Sequence, residues 1–182
     1  MKNDMARILF TEEQILEKVR DLGVRLTEDY KGKSPIFLGV LKGSFVFLAD
    51  LMRQVGVSCQ VEFMAVSSYG SGTNTTGAVR ITKDLNTDIE GRHVVIVEDI
   101  LDSGLTLHYL LRYLKGMNPA SVRICTLLDK PERRRAAVDA AYTGFQIPDA
   151  FVVGYGLDYA ERYRNLPYIG ILKPEIYEEC DA

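Results

Sequence analysis

The chain has 182 residues, 47% apolar and 26% charged, with a formal net charge of −3. That balance describes a soluble globular protein, long enough for one domain to bury a core without disulfide or metal staples. The slightly acidic charge gives no basis for nucleic-acid binding by bulk electrostatics, and no apolar stretch approaches membrane-spanning length. Cys59, Cys125 and Cys180 are odd in number and widely spaced, without a C-x-x-C pair. They fit neither a disulfide framework nor a zinc site, and point to reduced thiols and a cytoplasmic protein. No apolar leader follows Met1, so no export signal is expected.

Thr11 and Gln14 frame a capping box. Ile15, Val19, Leu22 and Leu26 then recur at helical spacing, which predicts a helix to about Tyr30. The apolar run 36–41 reads as a buried strand. Leu41, Lys42, Gly43 and Ser44 form a small polar turn at its carboxyl end, before an apolar helix over 45–55. A lysine and a glycine there can offer a cation and close backbone amides to an anion, although a plain strand-to-helix turn has the same composition. Residues 57–67 alternate, with Val57, Cys59, Val61, Phe63 and Ala65 on the inward face, so a half-exposed strand is expected. The run 68–77 is rich in Gly, Ser, Thr and Asn around Tyr69, the composition of a mobile loop. Residues 78–83 return from it as a partner strand.

Val94, Val95, Ile96 and Val97 predict a fully buried strand of a parallel sheet. Glu98 and Asp99 are expected where that strand emerges. Asp102, Ser103, Gly104 and Thr106 make a polar turn, and Leu107, Leu110, Leu111 and Leu114 begin a helix that ends near Gly116. In open α/β sheets ligands bind at the carboxyl ends of strands, and a glycine-bearing turn at a helix N-terminus suits a phosphate. Residues 121–128 form the next strand, with Lys130 at its end and Arg133, Arg134 and Arg135 read as a solvated face. A short strand over 141–147 and a strand and turn over 151–159 follow. A strand over 168–172 and an acidic, frayed tail over 174–182 close the chain.

The order of these motifs resembles the type I phosphoribosyltransferases, and the stretch Glu98, Asp99, Asp102, Ser103, Gly104, Thr106 is most similar to their hypoxanthine-using branch. The resemblance spans roughly residues 7 to 173. It implies an α/β fold, a mainly parallel central sheet flanked by helices, in a single domain 1–182. A small hood would come from the N-terminal segment and about 150–175. It implies transfer of ribose 5-phosphate from phosphoribosyl pyrophosphate (PRPP) to N9 of hypoxanthine, with guanine as a further acceptor, giving IMP or GMP and pyrophosphate. Mg²⁺ is the implied cofactor, and a homodimer or homotetramer the implied assembly.

The same resemblance assigns roles. Glu98 and Asp99 would bind the ribose hydroxyls and, with Asp158, the metal. Asp102, Ser103, Gly104, Leu105 and Thr106 would hold the 5′-phosphate, with Asp102 also exchanging a proton with purine N7. Leu41, Lys42, Gly43 and Arg164 would bind pyrophosphate, with a cis bond before Lys42 and Arg162 a competitor for the role of Arg164. Ser68 and Tyr69 would close over PRPP. Lys130 would donate to the purine 6-oxo group, Phe151 would stack on the ring and the Val152 backbone would read its edge. Leu105 stands where mammalian relatives carry lysine, so any role for a cation there is missing. An RNA-binding regulator on the same fold, or an adenine or orotate enzyme, is the alternative. The acidic net charge weighs against the first and Lys130 against the second.

Overall fold

The computed structural model describes residues 1–68 and 79–178. β1 (Met5–Phe10) leads into α1 (Glu12–Asp29), which starts at the expected box: Thr11 Oγ1 accepts from the Gln14 amide and Gln14 Oε1 from the Thr11 amide. Then come β2 (Ile36–Leu41), α2 (Phe45–Met52), β3 (Gln60–Ser68) and β4 (Val79–Lys83). They are followed by β5 (His93–Leu101), α3 (Leu105–Lys115), β6 (Ser121–Asp129) and β7 (Tyr142–Gln146). β8 (Val152–Val153), β9 (Ile169–Leu172) and α4 (Pro174–Glu178) complete the chain.

Six strands form the main sheet in the order β4-β3-β2-β5-β6-β7, all parallel except the β4 edge. Its central strands are apolar on both faces, which is what helices on both sides require. In β5, Val95 and Val97 face the cluster containing Ile15, Leu22 and Phe47 of α1 and α2, while Val94 and Ile96 face Leu107, Leu110 and Leu114 of α3. β2 divides in the same way, with Phe37 toward the first cluster and Ile36, Leu38 and Val40 toward the second. A second, three-stranded sheet in the order β1-β9-β8 joins the start of the chain to its end.

Four expectations shift. α2 stops at Met52 rather than near residue 55, because the Gln54 amide closes tightly on the Leu51 carbonyl and the Gly56 amide donates to Thr27 Oγ1 on α1. β3 starts at Gln60, opposite Ile36, the first residue of its parallel partner. Its alternation is not a clean inside and outside, for Met64 is fully buried while Val61 is 41% exposed. β5 continues through Glu98 and Asp99 to Leu101, so both acids still belong to the strand, with Glu98 paired to Thr126 of β6. The tail is helical over Pro174–Glu178, and Tyr177 stacks on Phe151.

Candidate active site

β2 and β5 are parallel neighbours, and the chain leaves them for opposite faces and opposite edges of the sheet: α2 and β3 follow β2, α3 and β6 follow β5. That is a topological switch point, where a crevice opens beyond the strand ends. The loops 41–44 and 102–106 both start there, at the carboxyl ends of β2 and β5.

At the end of β5, Gly104 takes a left-handed backbone (φ 79°) and caps α3, whose first intrahelical bond runs from the His108 amide to the Gly104 carbonyl at 2.8 Å. The amides of Leu105, Thr106 and Leu107 therefore have no acceptor within the helix, and that of Leu105 makes only a long contact of 3.5 Å to Ser103 Oγ. The turn borders a small cavity of about 80 Å³ lined by Glu98, Asp102, Ser103, Gly104 and Thr106. Free amides and the positive end of an 11-residue helix suit an anion here. The turn is locked from behind by the arginine run. The amides of Arg135 and Ala136 donate to the Ser103 carbonyl, and Arg134 donates to the carbonyls of Leu101 and Asp102 while pairing with Asp129. The reading of Arg133, Arg134 and Arg135 as a solvated face is thus corrected for the first two, whose side chains are 44% and 20% exposed and engaged.

At the end of β2 the Leu41–Lys42 bond is cis. Ser44 is fully buried and donates to the Val40 carbonyl, fixing the turn into α2. Gly43 lies so close to the acid pair that a Cβ there would sit 1.6 Å from Asp99 Oδ2. Lys42 Nζ is 3.0 Å from Glu161 Oε1. Arg164 reaches the same carboxylate at 3.3 Å and Asp158 Oδ1 at 2.9 Å, and donates to the Gly156 carbonyl at 2.8 Å. Arg162 has an exposed side chain and contributes a backbone bridge to Tyr159. Of the two candidates, Arg164 is the one brought to the loop of Lys42.

Glu98 and Asp99 keep some exposed surface at the mouth of the crevice but are densely surrounded by protein. Burial pushes Glu98 well above the usual carboxylate range, and the charge of Asp99 pushes it further. Burial likewise lifts Asp99 to about 6, against the hydrogen bond from the Ile100 amide at 2.8 Å that favours its charged form. Glu98 Oε2 is buried without a hydrogen-bond partner. An acid raised on folding favours its protonated form in the native state. Its penalty is absent below the unfolded value of 3.8 and grows as pH rises through about 6. Asp99→Asn is therefore expected to stabilise the free protein at pH 7–8 by about 1–2 kcal/mol, less than the full shift because some solvent contact remains. The gain should vanish below pH ~4. Thermal melts of parent and variant across that range check it.

The third element is a cavity of about 500 Å³ beside the turn. Asp102, Lys130, Phe151, Val152 and Leu157 are among the residues that line it. Lys130 is only 7% exposed, and its amide donates to the Leu101 carbonyl, which ties the end of β6 to the end of β5. Tyr177 also lines the cavity, its ring 4.9 Å from that of Phe151. Tyr69 lies outside the described residues, and Ser68 is described only as the last residue of β3. Sequence reasoning missed Glu161, Asp149, Tyr177 and the two arginines. Only the arginines carried a usable signal, a position three and four residues beyond Lys130 at a strand end.

One fold therefore gathers a small polar turn, an acid pair, a cationic loop and a 500 Å³ cavity around a single switch point. A family model for the phosphoribosyl transferase domain matches residues 6–160. The chain belongs to this family. Among relatives, it is 53% identical over 178 residues to the hypoxanthine-guanine phosphoribosyltransferase of Bacillus subtilis, covering 98% of this chain and 99% of that one. It is 55% identical over 179 residues to the bifunctional protein TilS/HprT of Listeria innocua, where 98% of this chain corresponds to 28% of that protein. A crystal structure of a hypoxanthine phosphoribosyltransferase from Staphylococcus aureus superposes with a TM-score of 0.95 at 51% identity, covering 97% and 96% of the two chains. The type I phosphoribosyltransferase fold expected from the motifs is the fold observed, and the chain falls in the hypoxanthine-guanine branch. Among the described residues no helix is long and apolar enough to cross a membrane.

Proposed function

We propose that this phosphoribosyltransferase transfers the 5-phosphoribosyl group of PRPP to N9 of a 6-oxopurine, hypoxanthine or guanine, releasing pyrophosphate and IMP or GMP. What carries the reading is the placement of loops 41–44 and 102–106 at the carboxyl ends of neighbouring strands β2 and β5, one switch point, with the cavity of Asp102, Lys130 and Phe151 beside the second. The 5′-phosphate sits against the amides at the start of α3. The ribose hydroxyls reach Glu98 and Asp99. Pyrophosphate leaves toward Lys42 and Arg164, whose charges stabilise it. Phe151 supplies a stacking face, the buried Lys130 donates to the 6-oxo oxygen, and Asp102 takes the proton from N7 as N9 attacks. Adenine carries a donor where Lys130 needs an acceptor, which disfavours it as a substrate.

Mg²⁺ fits the donor set in one particular way. No group of three or more metal-binding side chains converges among the described residues. The unpartnered Glu98 Oε2 and the buried Asp99 carboxylate suit a hard cation nonetheless. A magnesium ion usually takes one or two carboxylates and fills its shell with water and substrate oxygens. Glu98, Asp99 and Asp158 would hold it when PRPP is bound, and it would neutralise the leaving diphosphate. The catalytic unit works in the cytoplasm as a homo-oligomer in this reading.

Glu161 bridges Lys42 and Arg164 where the pyrophosphate charge is expected. PRPP must displace that carboxylate. Because it is 65% exposed, the cost is that of a surface ion pair, so Glu161→Gln is expected to lower the KM for PRPP by about 2–5-fold with kcat little changed. Initial-rate kinetics check this. The direct test of the reading is a spectrophotometric assay with PRPP, Mg²⁺ and each purine in turn. IMP and GMP formation is expected, with adenine inert. Adenine turnover without hypoxanthine turnover contradicts it.

A further inference from the structure

Along the wall of the 500 Å³ cavity runs a chain of alternating charge whose two middle members, Asp149 and Arg133, have no part in the proposed reaction. Lys130 Nζ lies 3.7 Å from Asp149 Oδ1. Both oxygens of Asp149 lie 3.3 Å from Arg133 Nη1. Arg133 Nε in turn lies 2.8 Å from Asp102 Oδ1, close but poorly aligned for a hydrogen bond, since that oxygen has no well-formed hydrogen-bond partner. Local structure explains the arrangement. A 3₁₀ turn over Pro131–Arg133, closed by the Arg133 amide on the Lys130 carbonyl, brings Arg133 to the same side as Lys130, where both reach Asp149. Asp149 follows β7, the next strand along, and Asp102 follows β5 on the other side.

The two ends of this chain are the groups read above as contacting adjacent atoms of the purine: Lys130 at the 6-oxo oxygen and Asp102 at N7. We propose that Arg133 and Asp149 form a brace that sets the spacing of those two groups, with Arg133 a positioning residue acting on the Asp102 carboxylate. The proposal rests on the acid/base reading of Asp102. A guanidinium presents several donors in a rigid plane, so one arginine can span two carboxylates at a fixed separation, which a lysine cannot. With Oδ1 ion-paired to Arg133, Oδ2 is the oxygen offered to N7. Without the brace the carboxylate samples other rotations, and only a fraction of encounters find it aligned.

A double-mutant cycle tests this. Steady-state rates are measured for the parent, Arg133→Gln, Asp102→Asn and the double variant, with PRPP, Mg²⁺ and hypoxanthine. Arg133→Gln is expected to lower kcat roughly tenfold, part of the ~10²–10⁴ available to an acid/base group, and to leave the KM for PRPP within about twofold. In the Asp102→Asn background it should remove less than about twofold more, since a residue acting through another has nothing left to act on. An unchanged kcat in Arg133→Gln overturns the proposal, as does an equal fractional loss in both backgrounds. Parental turnover in Asp102→Asn overturns the acid/base reading itself, which separates the two failures. The pair is nearly half-exposed, so the Arg133→Gln melting temperature should stay within about 3 °C of the parent. If it falls further, Arg133→Lys, which keeps the charge but not the two-armed span, carries the same test with the same expected loss.

Discussion

Asp102→Asn is expected to slow phosphoribosyl transfer by ~10²–10⁴ without abolishing it, the usual contribution of one positioned acid/base group. Asp102 stands where β5 ends and the phosphate turn begins, and it lines the small cavity of the turn as well as the larger one. A carboxylate there can take the N7 proton while N9 attacks, so the purine never accumulates full positive charge. The amide keeps the shape and cannot accept the proton. Leaving-group stabilisation by Lys42 and Arg164, and alignment of two bound substrates, persist in the variant, which is why turnover survives. Melting temperature and PRPP affinity should change little, because Arg134 bonds to the backbone carbonyl of this residue and the ion pair of its side chain with Arg133 is nearly half-exposed. Single-turnover rates on the saturated variant check the magnitude, and parental rates contradict the assignment.

Gly156→Ala should be nearly as damaging for a different reason. Gly156 has φ 100°, a backbone that side-chain-bearing L-residues rarely adopt, and a Cβ would lie 2.2 Å from the Gly43 carbonyl oxygen. Backbone cannot yield as a side chain tip can. Either the 154–157 turn or the loop of Lys42 must move. Gly156 also exchanges bonds with Arg164, its amide donating to the Arg164 carbonyl and its carbonyl accepting from Arg164 Nη1. One methyl group therefore disturbs both Arg164 and the loop of Lys42, the two cations proposed for pyrophosphate. A loss of about 2–4 kcal/mol of stability is expected, roughly 5–15 °C in melting temperature. The accompanying loss in kcat/KM for PRPP is ~10²-fold, the cost of misplacing a binding group by about 1 Å. Parental melting and kinetics would show that the turn is free to relax.

Much of this organisation is legible in the sequence because local chemistry and global fold agree. The box at Thr11 and Gln14, the doubly apolar strands at 36–41 and 94–97, and the glycine turn at Gly104 each admit few structures. Less is legible where tertiary contacts decide. Arginines in a row read as solvent-facing until β5 and β6 place the 102–106 turn beside them. Arg162 and Arg164 differ in sequence only by position, and a turn containing three positive-φ sites (Ala160, Glu161, Tyr163) sends one outward and the other to Asp158. The acidic tail hides an aromatic side chain at Tyr177 whose partner, Phe151, is distant in sequence. Where β3 begins depends on its register with β2, which no period within β3 itself records.

The central claim is that the turn 102–106 holds a nucleotide phosphate while Glu98 and Asp99 face its ribose. A crystal structure with IMP bound measures this directly. The account predicts the phosphate against the amides at the start of α3, the ribose hydroxyls toward the acid pair and the base between Phe151 and Lys130. IMP bound with its phosphate elsewhere, and those amides facing solvent, would contradict it.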